Sequence, residues 1–462
     1  MTELIPAVKK WNDPALYPRD FYLNFTSGLF WHERSFMLLF LKYSFAYQFI
    51  PNIFWFYLIS FFLAKGISRI CFTLGLKENE TALLILILLF IAPYSSVGGN
   101  ELHYPMLNGS VVAKCLAIWG IWYFITDRNL LSFALLGLAV WFQALVGLQL
   151  GLILGLVLMV REFKRPLRWL SPAGLFGLFA FPCLLLILGS RLSVHAHTDL
   201  FQELVEFRIG HHFYIQYSSF ISIHVYLCLA AWGLYYWKKK SSVLFHFFVV
   251  QNLILILYLV SQWTIDLAVV LQSQWLKTTL WIEFFALVAL VASFQEYFSF
   301  GLRKKILWAC MLLIGLGMVY KISRKSFSES EETSLAAWAH HHTDLHSLFV
   351  VPPDFSCFKS QSERSLWVDY KSVNHQLPYL APWYDRIHKI YGISLDDRRA
   401  GRDLMGYATE QYSRIKPDLL LNLWKQDGVD YFILPAEWKI PDLRFEQMYQ
   451  TPNFQIVRCR AD

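Results

Sequence analysis

Long apolar runs alternate with short polar islands from Ser35 to Lys321, and the chain then changes character. Runs near 52–74, 81–94, 109–126, 130–142, 144–160, 172–190, 219–237, 242–262, 276–298 and 305–321 approach the ~20 apolar residues that span a bilayer. Those at 81–94 and 130–142 are short for full spans. Gln143 and Gly147 interrupt 130–160, which reads as a hairpin of two helices. Ser35–Ile50 is apolar but carries Lys42 and ends at Pro51, which predicts a helix lying at the membrane surface.

Beyond about residue 323 the period shortens. Helices are expected at Ser334–His341, Pro382–Tyr391, Arg399–Arg414 and Pro417–Gln426. Strands are expected at Ser347–Val351, Ser365–Asp369, Tyr431–Leu434 and Phe454–Arg458, which makes a small α/β domain behind the polar linker Ser326–Glu332. The predicted fold is a polytopic α-helical membrane protein of about ten hydrophobic segments with a C-terminal soluble α/β domain. Its divisions are 1–51, an outside segment; 52–322, the membrane unit; and 323–462, the tail.

Composition agrees. Of 462 residues, 56% are hydrophobic and 18% aromatic, and mean hydropathy is +0.39. The net charge of +7 does not point to nucleic acid, because lysine and arginine gather in loops between apolar runs. Arg161–Arg168, Lys238–Lys240 and Arg303–Lys305 fall on one face, which the positive-inside rule makes cytoplasmic in an inner membrane. Residues 1–35, 95–108, 191–218, 263–275 and the tail then lie outside, in the periplasm of a Gram-negative cell. This topology asks for a further membrane helix upstream of Met1. Cys357 and Cys459 are the two cysteines of the tail, and no CxxC metal spacing exists.

Four polar islands share the outer face, and one site formed from all of them is the expectation. In the first, proline stiffens a loop holding Asp13 and Asp20, either of which can serve as a general base or simply cap a turn or helix. In the second, Glu101 and His103 follow Gly98-Gly99, which allows close backbone approach. In the third, Arg208, His211, His212 and Tyr214 suit a lipid-linked phosphate or diphosphate, with satisfied interfacial side chains the plainer alternative. In the fourth, Lys277 opens a span beside Gln272 and Gln274 and can meet a headgroup phosphate or serve as an interface anchor. His340–His342 reads as a solvated helix face. Lys114 and Glu283 lie deepest in the apolar runs, where a charge costs roughly 2.5–3.5 kcal/mol, and can pair or line a cavity.

The pattern resembles GT-C type glycosyltransferases, multi-span enzymes that use polyprenyl-phosphate-linked sugars. It is most similar to a family of bacterial GT-C-like membrane proteins, through Pro6…Asp13-Pro14-x-Leu16-Tyr17-Pro18-x-Asp20, Arg208-x-x-His211-His212 and the tail pattern Trp338…Thr343…Val351-Pro352-Pro353…Arg364-Ser365. The resemblance implies a catalytic carboxylate in the first outside loop, Asp20 before Asp13, acting on an acceptor. Arg208 with His211 or His212 would then steady the departing polyprenyl phosphate. It implies membrane lipid and a polyprenyl-phosphate sugar as partners, no nucleic acid, and a divalent metal (Mg or Mn) as optional. A transporter would show internal repeats and broken helices at the midplane; a non-catalytic scaffold of envelope or polysaccharide assembly is the third reading.

Overall fold

A computed structural model describes residues 3–29, 32–88, 97–191, 198–264, 268–297, 331–440 and 443–460, with isolated positions between 301 and 312. Most of the expected span at 305–321 and of the linker Ser326–Glu332 lies outside the described residues.

Three short helices come first: α1 (Leu4–Asn12), α2 (Phe21–Ser27) and α3 (Ser35–Tyr43). The membrane unit follows with α4 (Phe49–Thr73), α5 (Glu78–Leu86), α6 (Gly109–Ile125), α7 (Asn129–Phe142), α8 (Ala144–Arg161) and α9 (Pro166–Arg191). It continues through α10 (Thr198–Ile209), α11 (Phe220–Lys240), α12 (Ser242–Thr264), α13 (Ala268–Gln272) and α14 (Thr279–Tyr297). Six helical segments are long and apolar enough to cross a membrane; α6 and α7 are shorter apolar helices. α4 starts before Pro51 because proline is tolerated in a first helical turn, so the helix expected over Ser35–Ile50 is α3 alone. Gln143 is extended and separates α7 from α8, giving the expected hairpin. Gly147 closes it: a Cβ there would sit 2.5 Å from the Leu136 carbonyl oxygen.

α14 is the central post, with 83% of its apolar window buried. At one end of the bundle Asp127 pairs with Arg161, Lys240 with Glu296, and Gln295 accepts from the Lys77 backbone. The polar islands lie at the other end, beside the tail.

The tail comprises α15 (Glu331–His342), α16 (Phe358–Ser362), α17 (Leu377–Tyr391), α18 (Leu395–Arg399), α19 (Leu404–Ser413) and α20 (Pro417–Asp427). Its strands are β1 (Leu348–Val350), β2 (Ser365–Leu366), β3 (Tyr431–Pro435), β4 (Phe445–Gln450) and β5 (Phe454–Cys459). They form a five-stranded sheet in the order β2-β1-β3-β5-β4. β1 runs parallel to β2 and β3, while β5 is antiparallel to β3 and β4. The helix expected over Arg399–Arg414 is two helices, because Asp403 is extended and caps α19.

Packing does not follow the expected divisions at 51 and 322. Tyr17, Tyr22 and Leu23 from the N-terminal segment share one core with Phe201, Leu204, Phe207, Trp383, Ile387 and Leu420. One core is therefore shared by the N-terminal segment, α10 and the tail.

Candidate functional site

Three of the four islands meet at the end of α14. Gly98 and Gly99 have φ of +85° and +61°, in the left-handed region that glycine tolerates. A Cβ on Gly98 would lie 2.6 Å from the Leu276 carbonyl oxygen, and one on Gly99 2.6 Å from His211 Cδ2. The loop is thus threaded between the histidine pair and the start of α14. His212 Nδ1 donates to the Gly98 carbonyl at 2.5 Å, and Asn100 Nδ2 donates to the Lys277 carbonyl at 3.0 Å. Gln149 of α8 ties in the Ser273 carbonyl at 2.6 Å.

Beside this junction lies a cavity of about 220 Å³, lined by Asn100, Tyr104, Asn108, Ser110, Gln143, Leu145, Val146, Gln149 and Lys277. Its wall is mostly uncharged hydrogen-bonding groups with one ammonium, Lys277. The N-terminal ends of α6 and α8 border it, which adds partial positive charge. Asn108 caps α6 by accepting from the Val111 N–H at 2.9 Å.

Next to the Gly98–Asn100 loop is a cluster of cations and imidazoles. Arg398 Nη2 donates to His211 Nδ1 at 3.4 Å. Guanidinium only donates, so the neutral His211 carries its proton on Nε2. His212 is the opposite tautomer, since a carbonyl only accepts, and its Nε2 keeps a lone pair. Burial, then the charges of Arg398, Lys277 and Arg208, pushes the His211 imidazolium down to about 4. Burial, with Lys277 and His211 adding to it, holds His212 well below its ordinary value. His375 of the tail falls to about 4, through burial first, against the opposing pull of Glu33. Arg208 lies over Tyr370 at 5.3 Å and Trp383 at 6.0 Å, and burial lowers its pKa. Tyr214 packs its ring 6.4 Å from Tyr217 at the margin.

The second island contributes mainly backbone. The Glu101 carbonyl and the Asn100 side chain accept from the buried ammonium of Lys114, which lies 4.5 Å from the Tyr104 ring centre. Lys114 is therefore satisfied by this loop and not by Glu283, whose Oε1 has no partner. His103 points to α4 instead, where Nε2 meets Ser60 Oγ at 2.9 Å.

The first island is elsewhere. Asp13 is exposed, and its Oδ1 accepts from the Ala15 N–H at 3.0 Å in a turn. Asp20 is buried (1% exposed) and caps α2 through the Leu23 N–H at 2.8 Å. Its Oδ2 accepts from the Leu366 N–H of β2 at 3.0 Å and lies 3.8 Å from Lys359 Nζ. Lys359 also pairs with Asp369 at 3.0 Å. Burial opposes this ammonium, but Asp20 and Asp369 outweigh burial and raise its pKa. Around Asp20 the N-terminal strap is locked down: Lys9 to Glu363, the Arg19 N–H to Ser365 Oγ, and the Arg19 guanidinium to Asp430 and Gly428. The tail half of the resemblance is also structural. Arg364 donates to the His340 and Thr343 carbonyls at 2.7 and 2.8 Å, closing the C-terminal end of α15. Asp20, which the sequence offered as a general base or a cap and the resemblance as the catalytic carboxylate, is part of a clasp, because its oxygens are taken by two backbone N–H groups and a buried lysine.

Glu33 is a carboxylate that the motifs did not single out. It is two-fifths exposed and acts electrostatically on Lys277 and His375. Arg398 was hidden in the charged run Asp396–Arg399, which reads as surface. Among the described residues no three or more His, Cys, Asp or Glu side chains gather as a metal site. The cluster's donors are guanidinium, ammonium and imidazole, which do not suit a hard divalent ion that needs several oxygen ligands. Cys357 and Cys459 are free, one exposed and one buried.

A domain of unknown function, DUF6798, matches residues 330–390, from α15 to the end of α17. No curated protein matches the chain.

Proposed function

We propose that this protein is a GT-C-like membrane glycosyltransferase, moving a sugar from a polyprenyl-phosphate-linked donor to an acceptor on the periplasmic face of a bacterial inner membrane. The observation that carries this reading is the meeting of residues 98–100, 208–212 and 274–277 at one end of an apolar bundle, around Lys277 and a polar cavity. An apolar bundle takes an isoprenoid chain, uncharged amides and hydroxyls take sugar hydroxyls, and the cations take phosphate.

In the reaction the acceptor oxygen attacks the anomeric carbon. The bond from that carbon to the phosphate oxygen breaks, and its electron pair stays on the phosphate. Lys277 and the Arg208–His211 cluster stabilise that growing charge. The acceptor proton goes to a carboxylate, for which Glu33 and Glu101 are the candidates once Asp20 and Asp13 are otherwise engaged. The test is transfer from a radiolabelled polyprenyl-phosphate sugar pool in membranes, comparing the native chain with Lys277→Ala, Glu33→Gln and Glu101→Gln at matched expression. Loss of transfer with Lys277→Ala and with one of the two carboxamides is expected. Absence of transfer by the native chain would sink the enzyme reading and favour a non-catalytic scaffold, the reading suited by the structural use of Asp13 and Asp20.

A further inference from the structure

The cationic cluster holds more positive charge than one phosphate needs. Arg208 and Arg398 each have a buried Nε without a hydrogen-bond partner. Among the described residues neither guanidinium forms an ion pair, whereas the neighbouring charges are spoken for: Arg399 holds Glu206, Arg34 holds Glu3, and Lys359 holds Asp369. Lys277 adds a third cation, in the cavity wall. His211 links these cations: its ring contacts Arg398 directly, packs against Gly99, and feels the charge of Lys277. Its Nε2–H remains a donor after Nδ1 has accepted from Arg398.

We propose that this site is built for a diphosphate, with one phosphate at Lys277 beside the polar cavity and the other between Arg398, His211 and Arg208. This rests on the transferase reading for its biological sense and narrows it: the donor, or the lipid released from it, carries a diphosphate and not a single phosphate. A phosphodiester brings one negative charge to three cations, which leaves a buried guanidinium Nε without an acceptor. A diphosphate brings at least two, spread over two phosphorus centres. The tail takes part, since Arg398 belongs to it.

The experiment is ligand-induced thermal stabilisation of the purified full chain in detergent, titrated with inorganic phosphate, inorganic pyrophosphate and farnesyl diphosphate. Pyrophosphate is expected to bind about tenfold or more tightly than phosphate. Arg398→Gln is expected to bring that ratio near one while leaving the ligand-free melting temperature close to native. Arg398→Lys, which keeps the charge but loses the planar fork, should recover part of the ratio. Tighter farnesyl diphosphate than pyrophosphate names a lipid-borne ligand; equal binding names a free diphosphate. Equal affinity for phosphate and pyrophosphate, or a ratio that Arg398→Gln and Lys277→Ala both leave untouched, overturns the proposal. Should sugar transfer fail while the ratio holds, the transferase reading falls and the diphosphate site stands.

Discussion

Replacing Asp20 by asparagine separates a catalytic carboxylate from a structural one. The side chain keeps its shape but loses its charge and one acceptor. In the native protein its oxygens take the Leu23 N–H at 2.8 Å and the Leu366 N–H at 3.0 Å. An asparagine must turn its amide NH2 toward one of these donors, leaving a buried backbone N–H unpaired at a cost of about 1–3 kcal/mol. Lys359 also loses one of its two carboxylates. Breaking a buried pair outright costs about 3–5 kcal/mol, but Asp369 stays at 3.0 Å and holds the loss to a fraction of that. The expected destabilisation is about 2–4 kcal/mol, located where the N-terminal strap meets β2. Limited proteolysis of the full chain should then cut between Asn12 and Arg34 well before the native protein is cut there, and the melting temperature should fall. Adding Lys359→Met should deepen the loss, since the buried Asp369 carboxylate then loses its ammonium partner. If Asp20→Asn melts and is digested like the native chain yet abolishes sugar transfer, the clasp is not Asp20's main role and it belongs in the reaction.

The other predictions concern the loop, the tail and pH. Gly99→Ala must hold a left-handed backbone, costing about 1–2 kcal/mol, and push a methyl into His211; pyrophosphate stabilisation should vanish while a control at Gly174, where a Cβ meets nothing within 4 Å, behaves as native. Arg364→Ala strips donors from the end of α15 and should cost about 3 kcal/mol, read as a lower melting temperature and early cleavage within the tail, with only partial rescue by lysine. His211 and His375 are held near 4, below their ordinary 6.5, so the unfolded chain binds protons there before the folded one does. Their contribution is intact above 6.5 and is lost as pH falls from 6.5 toward 4, at a slope of about 1.4 kcal/mol per pH unit for each. Melting temperature against pH should show that fall, and saturating pyrophosphate should flatten it, because a bound anion favours the imidazolium; an unchanged slope with pyrophosphate counts against the histidines facing the ligand.

How much of this was legible depends on what kind of contact carries it. The membrane helices and the α7–α8 break at Gln143 follow from apolar run length and one polar interruption, both local. The cap at Asp403 is as local a signal, an acceptor just before α19, yet the helix expected over Arg399–Arg414 ran through it. β4 escaped because Phe445–Gln450 has little apolar alternation; it is an edge strand that buries mainly Phe445. Asp20 carried a helix-cap signal in the sequence, but its second partner is a backbone N–H 346 residues away, and a backbone donor leaves no mark in a sequence. Lys359 likewise sits in a polar stretch, Lys359–Arg364, that reads as solvated surface and is instead the buried centre of the clasp. Of the segments that carry the resemblance, 208–212 lies at the candidate site, while 13–20 and 364–365 bind each other or close the tail. Resemblance there reports on how the N-terminal strap is fastened to the tail. The chemistry has to be read from what meets at the end of α14: two glycines with positive φ, a histidine pair in opposite tautomers, Lys277, and Arg398 from the far side of the chain.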